Sequence, residues 1–204
     1  MIVPVIETER LILRPLRAGD EPRFLALASD WDVACMNSDI PHPLTSAQAK
    51  AWLTDSGDDV RFAIDHSGTM IGSVGYFQRR SGTAEVGFWL GRDHWGFGFG
   101  TEATKAVLRY GLGQGHRSFS SAHFLDNYPS QKLLAKLGFE AVGRGPIWCA
   151  ARGMEVEAIS VLLNYERAQA VVGPVDSPAS APPAARWHGR LGRWLGGQPR
   201  RTNV

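Results

Sequence analysis

The 204-residue chain has few of the features that would make it a membrane, secreted or metal protein. No apolar run approaches the ~18 residues a transmembrane helix needs, so no membrane span is expected. Met1-Ile2-Val3-Pro4-Val5-Ile6-Glu7 lacks the basic segment and apolar core of a signal peptide, so a cytoplasmic location is expected. Only two cysteines are present, Cys35 and Cys149. They make neither a disulfide framework nor a metal-ligand spacing, and no metal cofactor is expected. Strong net charge is also missing, because the formal value is +2. That small value hides an asymmetry. Up to Glu166 there are 16 Lys+Arg against 19 Asp+Glu; beyond it there are 6 Arg against one acid, Asp176. An acidic body is poor footing for nucleic acid and neutral to favourable for a cationic amine.

What is present reads as one α+β domain with a mixed α/β element order. Arg10 to Leu16 alternates as an opening strand. Asp20 is placed to cap a helix carrying Phe24, Leu27, Ala28 and Trp31, and Thr45 with Gln48 forms a capping box before a helix burying Ala49, Trp52 and Leu53. Strands are expected over 61–66, 70–78 and 84–90, separated by Ser67-Gly68 and Ser81-Gly82-Thr83. After residues 95–101 comes a helix with Ala103, Ala106, Val107 and Tyr110 on one face. A strand over 119–124, a helix from Pro129 that stops at Gly138, and a hairpin of strands 141–151 and 156–163 complete the domain. The order is β-α-α-β-β-β-α-β-α-β-β, a single domain over 1–168. Residues 169–185 read as a Pro/Ala-rich linker. Residues 186–204 read as a basic, disordered tail whose Trp187 and Trp194 among arginines suit a membrane surface or RNA as partner.

Chemistry concentrates in Trp95-Gly96-Phe97-Gly98-Phe99-Gly100-Thr101-Glu102-Ala103, a glycine-rich loop that follows a strand and opens a helix. Such a loop aims free backbone N–H groups and the helix dipole at one point, which suits a phosphate. The dinucleotide pattern fails because Ala103 stands where a glycine is needed, and the P-loop pattern fails because no lysine precedes Thr101. A pyrophosphate held only as an anchor fits what remains. A tight turn with aromatic packing is the other reading of the same spacing.

This loop resembles the signature of GNAT N-acetyltransferases, Gln/Arg-x-x-Gly-x-Gly/Ala, with Trp95 in first place. A tryptophan there is similar to the subgroup of ribosomal-protein (Rim-type) N-acetyltransferases. Glu7 to Leu16 resembles that subgroup's opening strand. His123-Phe124-Leu125-Asp126-Asn127-Tyr128-Pro129-Ser130 with Lys136-Leu137-Gly138-Phe139-Glu140 resembles its strand–Asn–helix–Gly-Phe block. The resemblance implies a sheet splayed between strands 84–90 and 119–124, with acetyl-CoA as cosubstrate. It implies that the pantetheine arm pairs near Trp89 and Leu90, that the loop Trp95, Gly96, Phe97, Gly98, Gly100 and Thr101 holds the pyrophosphate, and that Asn127 and Ser130 meet the pantetheine end. The expected partner is an amine, a protein N-terminus or a small molecule, with a second copy of the chain as a further expected partner.

Acetyl transfer needs a neutral amine, a polarised carbonyl and a reprotonated thiolate. Glu85 is the first candidate general base, on a strand face shared with Gly87 and Trp89. His123 is the second, and Ser130 is a candidate donor to the cofactor sulfur. Many family members carry a general-acid Tyr where this chain has Leu134. Cys149 reads as a buried structural cysteine rather than an acyl carrier. Trp31, His42, Trp52 and Trp148 are candidate walls for the acceptor. Acetylation of an antibiotic amine and non-catalytic acyl-CoA sensing are the alternative functions.

Overall fold

A computed structural model describes residues 3–54, 59–78 and 83–175. The linker and tail beyond 175 lie outside the described residues, as do Ser81 and Gly82. The chain opens with strands β1 (Ile6–Glu7) and β2 (Ile12–Pro15). Three helices follow: α1 (Glu21–Ala28), α2 (Trp31–Ala34) and α3 (Ser46–Thr54). Strands β3 (Val60–His66), β4 (Thr69–Gln78) and β5 (Thr83–Leu90) lead to helix α4 (Phe99–Gly113). Then come β6 (Ser118–Phe124), α5 (Tyr128–Lys136), β7 (Glu140–Cys149), β8 (Met154–Asn164) and α6 (Tyr165–Val172). No helix among the described residues is long and apolar enough to cross a membrane.

All eight strands form one sheet in the order β1-β2-β3-β4-β5-β6-β8-β7. Every pairing is antiparallel except β5 with β6. The β3–β4 hairpin turns on Ser67 and Gly68, both at positive φ, the geometry of a two-residue type I′ turn. Alternation assigns the two faces. Leu13, Phe62, Ile64, Val74 and Val86 pack with Val107, Leu108, Leu134 and Ala168 under α4, α5 and α6. Ala63 and Trp89 pack on the opposite face with Phe24, Leu27, Val33 and Trp52 from α1 to α3. The expected α+β mixed sheet is therefore present.

Three local expectations are corrected. Trp31 does not belong to the first helix. That helix ends at Ala28, and Asp30 starts a new one by accepting from the Asp32 N–H at 2.9 Å. Trp31 is accordingly half exposed, at 48%. Asp20 sits at the α1 N-cap without bonding that helix, because its carboxylate is committed to Arg14 and to the Arg17 N–H. An unexpected helix, α6, starts where Asn164 accepts from the Arg167 N–H. It crosses the boundary expected at 168 and buries Ala168 and Val172. The capping box at Thr45 and Gln48 is present as expected.

Candidate active site

Strands β5 and β6 pair only at Thr83–Ser118, Ala84–Phe119 and Glu85–Ser120. Beyond that register they separate, which is the expected splay. Its edge groups follow from the opposite pairing. Gly91 N–H donates to Ile71 at 2.9 Å, so Gly91 and, two residues earlier, Trp89 turn their backbone groups toward β4. Val86, Phe88 and Leu90 therefore turn theirs into the splay. The Ser121 hydroxyl takes the Val86 carbonyl at 2.9 Å, and the Trp95 indole N–H takes the Leu90 carbonyl at 2.8 Å. The free edge is thus centred on Phe88 and the Leu90 N–H rather than on the Trp89 backbone.

The splay opens into a cavity of about 650 Å³. Its lining brings together Trp89, Leu90, Trp95, Gly96, Gly98, Gly100, Thr101, Glu85, His123, Asn127 and Ser130. Phe97 is not among the lining residues; it is exposed, and its carbonyl accepts from Arg10 at 2.9 Å. Gly96 and Gly98 both sit at φ +81°, and Gly98 is the N-cap of the 15-residue α4. A Cβ on Gly100 would lie 2.9 Å from the Leu133 side chain, so a larger residue here requires that side chain to move.

An ion-paired brace stands behind the loop. Glu102, in the first turn of α4, accepts from the Thr8 hydroxyl at 2.6 Å and from the Arg10 backbone N–H at 2.8 Å. The Arg10 guanidinium adds a 2.7 Å contact and lies over the Phe99 ring. Burial alone would raise the Glu102 carboxyl, but the Thr8 and Arg10 donors outweigh it and hold it below its ordinary value. Its two ends lie 92 residues apart, so no local pattern in the sequence joins them. Glu102→Gln removes the charge that fixes Arg10. The expected result is roughly 5–10-fold weaker coenzyme A binding by titration calorimetry with little change in fold.

The catalytic candidates occupy different faces. Glu85 pairs with Ser120, whereas His123 lies three residues further along β6, on the face that packs under α4 and α5. Both are buried. His123 Nδ1 donates to the Phe124 carbonyl at 3.0 Å, because a carbonyl only accepts; this leaves Nε2 as the basic nitrogen of the neutral ring. The Asn127 carboxamide is the N-cap of α5, accepting from the Ser130 N–H at 3.1 Å and donating to the Met36 carbonyl at 3.4 Å. The Ser130 hydroxyl has no hydrogen-bond partner among the described residues.

The residues expected to wall the acceptor lie away from this cavity. Trp31, His42, Trp52 and Trp148 are absent from the lining. Trp52 is core, stacked on Phe24 at 4.6 Å, and Trp31 packs edge-on to His42. The side of the cavity away from the glycine loop is lined by Asp32, Val33, Met36, Asn37 and Ser38 with Ile147 from β7. Cys149 is fully buried and its thiol contacts the Asn37 carbonyl at 3.3 Å, a structural role. His94 also lines the cavity and was not singled out by sequence. Burial, and then the Arg23 charge 3.2 Å from its Nε2, keep it less basic than an ordinary histidine.

Comparison with known proteins agrees with this geometry. Residues 10–140 match the acetyltransferase (GNAT) domain family model. The chain is 30% identical over 151 residues to the uncharacterized N-acetyltransferase YoaA of Bacillus subtilis (strain 168), covering 69% of this chain and 85% of that protein. It is 33% identical over 146 residues to the uncharacterized N-acetyltransferase p20 of Bacillus licheniformis, covering 67% and 82%. Among solved structures, Mycobacterium smegmatis RimJ in complex with CoA-disulfide shares the fold, with TM-score 0.71, 18% identity, and coverage of 83% of this chain and 94% of that one. A splayed β5–β6 pair, a left-handed glycine at the head of α4 and a match over most of the domain converge: the chain belongs to the GNAT acetyltransferase family.

Proposed function

We propose that the protein transfers the acetyl group of acetyl-CoA to a primary amine, a protein N-terminus or a small molecule, by direct attack on the thioester. The observation that carries this reading is that one cavity joins the unpaired edge of β5, the positive-φ glycines at the head of α4 and the buried Glu85. The N–H groups of Gly96, Gly98, Gly100 and Thr101 suit a pyrophosphate, with the α4 dipole behind them. The Phe88 edge and the Leu90 N–H suit the pantetheine amides and the developing negative charge of the carbonyl. Acetyl-CoA supplies an acyl group already activated as a thioester. Glu85 takes the proton from the amine, directly or through water, and His123 is the second group able to do so. Ser130 holds a proton donor toward the sulfur end. Leu134, 1% exposed, stands where many relatives carry tyrosine, so water reprotonates the thiolate.

The decisive experiment measures free-thiol release from acetyl-CoA with a fixed panel: hexapeptides beginning with Ser, Ala or Met, plus spermidine, lysine and tyramine. Turnover with at least one amine supports the proposal. Coenzyme A binding without turnover would favour a sensor. Glu85→Gln should lower kcat/KM by roughly 10²-fold, most strongly at low pH, where less of the amine is already neutral. An unchanged pH profile would remove Glu85 as the base.

A further inference from the structure

The wall formed by residues 35–38 has an unusual feature: each of its four consecutive carbonyls is held from outside its own segment. Cys35 accepts from Arg152 Nε at 2.9 Å and contacts the Cys149 thiol at 3.6 Å. Met36 accepts from the Asn127 amide, and Asn37 from the Cys149 thiol. Ser38 accepts from the Ala150 N–H at 2.8 Å. Met36, Asn37 and Ser38 all line the cavity, and they follow α2, a helix of only four residues with little rigidity of its own. The shape of this wall is therefore imposed by the β7–β8 turn and by the head of α5.

Arg152 is the member of that turn that spans from Cys35 and Met36 to the junction of β6 and α5. Besides Cys35, its guanidinium lies 3.6 Å from the Met36 sulfur and 2.8 Å from Asp126, and it packs over the Phe124 ring. Asp126 and Phe124 flank the junction between β6 and α5, beside His123 and Asn127. The side chain is 20% exposed, so its charge is largely committed to these partners. The planar fork allows the separate contacts at fixed angles, which a lysine ammonium reproduces only in part.

We propose that Arg152 is a positioning residue for the amine, clamping the 35–38 wall to the β6–α5 junction and so setting the width of the acceptor half of the cavity. This rests on the acetyl-transfer reading. There, the glycine loop and α5 flank the cofactor on one face of the sheet, and the amine enters past residues 32–38 on the face shared with Glu85. Arg152 touches neither partner in the reaction; it acts through the wall it holds.

The test compares Arg152→Met, Arg152→Lys and the unaltered chain, using the panel amine with the highest kcat/KM. Arg152→Met is expected to raise KM for that amine roughly 10–100-fold, because a small misplacement of a positioning wall has effects of that order. KM for acetyl-CoA should stay within about twofold, and Arg152→Lys should recover part of the loss. An unchanged amine KM, or equal rises in both KM values, would overturn the proposal. Hydrogen exchange with coenzyme A bound reads the clamp without any acceptor: amides 33–40 should exchange faster in Arg152→Met while amides 96–105 do not. Unaltered exchange at 33–40 would also overturn it. A chain that turns over no panel amine but loosens at 33–40 on this substitution would refute the acetyl-transfer reading and retain the clamp.

Discussion

Gly98→Trp is expected to abolish measurable coenzyme A binding while leaving the domain folded. Gly98 adopts φ +81°, ψ 0°, and caps the helix whose first N–H groups face the cavity. A side chain in that left-handed conformation costs about 1–2 kcal/mol, which a domain of this size tolerates. Space for it exists, since the nearest atom to an added Cβ is Arg10 Nη2 at 3.5 Å. An indole there would screen the loop amides from an anion. Hydrogen bonds to a charged group contribute roughly 1.5–3 kcal/mol each, so losing two of them weakens binding by roughly 10²–10⁴-fold. Gly98→Ala carries the same backbone strain without the bulk and should bind within about tenfold of the unaltered protein. Calorimetric titration with coenzyme A, beside a circular dichroism melt, separates the two causes. Tight binding by a folded Gly98→Trp chain would remove the loop as the pyrophosphate cradle.

The loop was legible in the sequence because its evidence is local. Glycines at alternate positions, a strand before and an amphipathic helix after lie within one stretch of chain, and the glycine torsions follow from residue type. The sequential antiparallel strands and the final hairpin were legible from turn spacing, but the neighbouring of strands β5 and β6 only through resemblance, since their parallel contact spans α4 and carries no turn signal. Three parts escaped. Trp31 was drawn into the first helix by its spacing from Phe24 and Leu27, although Asp30 is a strong cap that restarts the chain. The Arg10–Glu102 brace joins two recognised blocks, but charge pairing across the chain has no periodicity to read. The cavity wall at residues 35–38 escaped for a deeper reason. Residues 35–38 have no regular structure, and donors more than 90 residues away hold most of their carbonyls. Trp31, His42, Trp52 and Trp148 stand out by size, whereas this side of the cavity is lined by residues held in place by distant donors.

A second large effect is expected at a distance from the cavity. Arg14 is buried between two buried carboxylates, contacting Asp20 through both terminal nitrogens at 2.8 and 2.9 Å and Asp65 through Nε at 2.9 Å. This triad ties β2 to β3 and to the turn that starts α1, the element that packs against the back of Trp89. Burial raises the Asp20 carboxyl, but Arg14 and the Arg17 N–H outweigh it and hold it below its ordinary value of 3.8. A depressed carboxylate contributes stability above its unfolded value, and that contribution is lost as pH falls through the folded value. Arg14→Met keeps most of the volume and leaves two buried carboxylates without their shared cation. The expected destabilisation is about 3–5 kcal/mol at about pH 7, the range for removing one partner from a buried ion pair. The sign of the pH effect then reverses between the chains. As pH falls below the ordinary carboxylate value the unaltered protein loses the Arg14–Asp20 contribution, whereas Asp20 in the variant, buried without its cation, takes up its proton above that value and its penalty is relieved earlier. Urea unfolding across that interval should therefore show the two stability curves converging toward acid. A constant gap between them would mean that Arg14 stabilises the fold by packing its side chain rather than by neutralising Asp20.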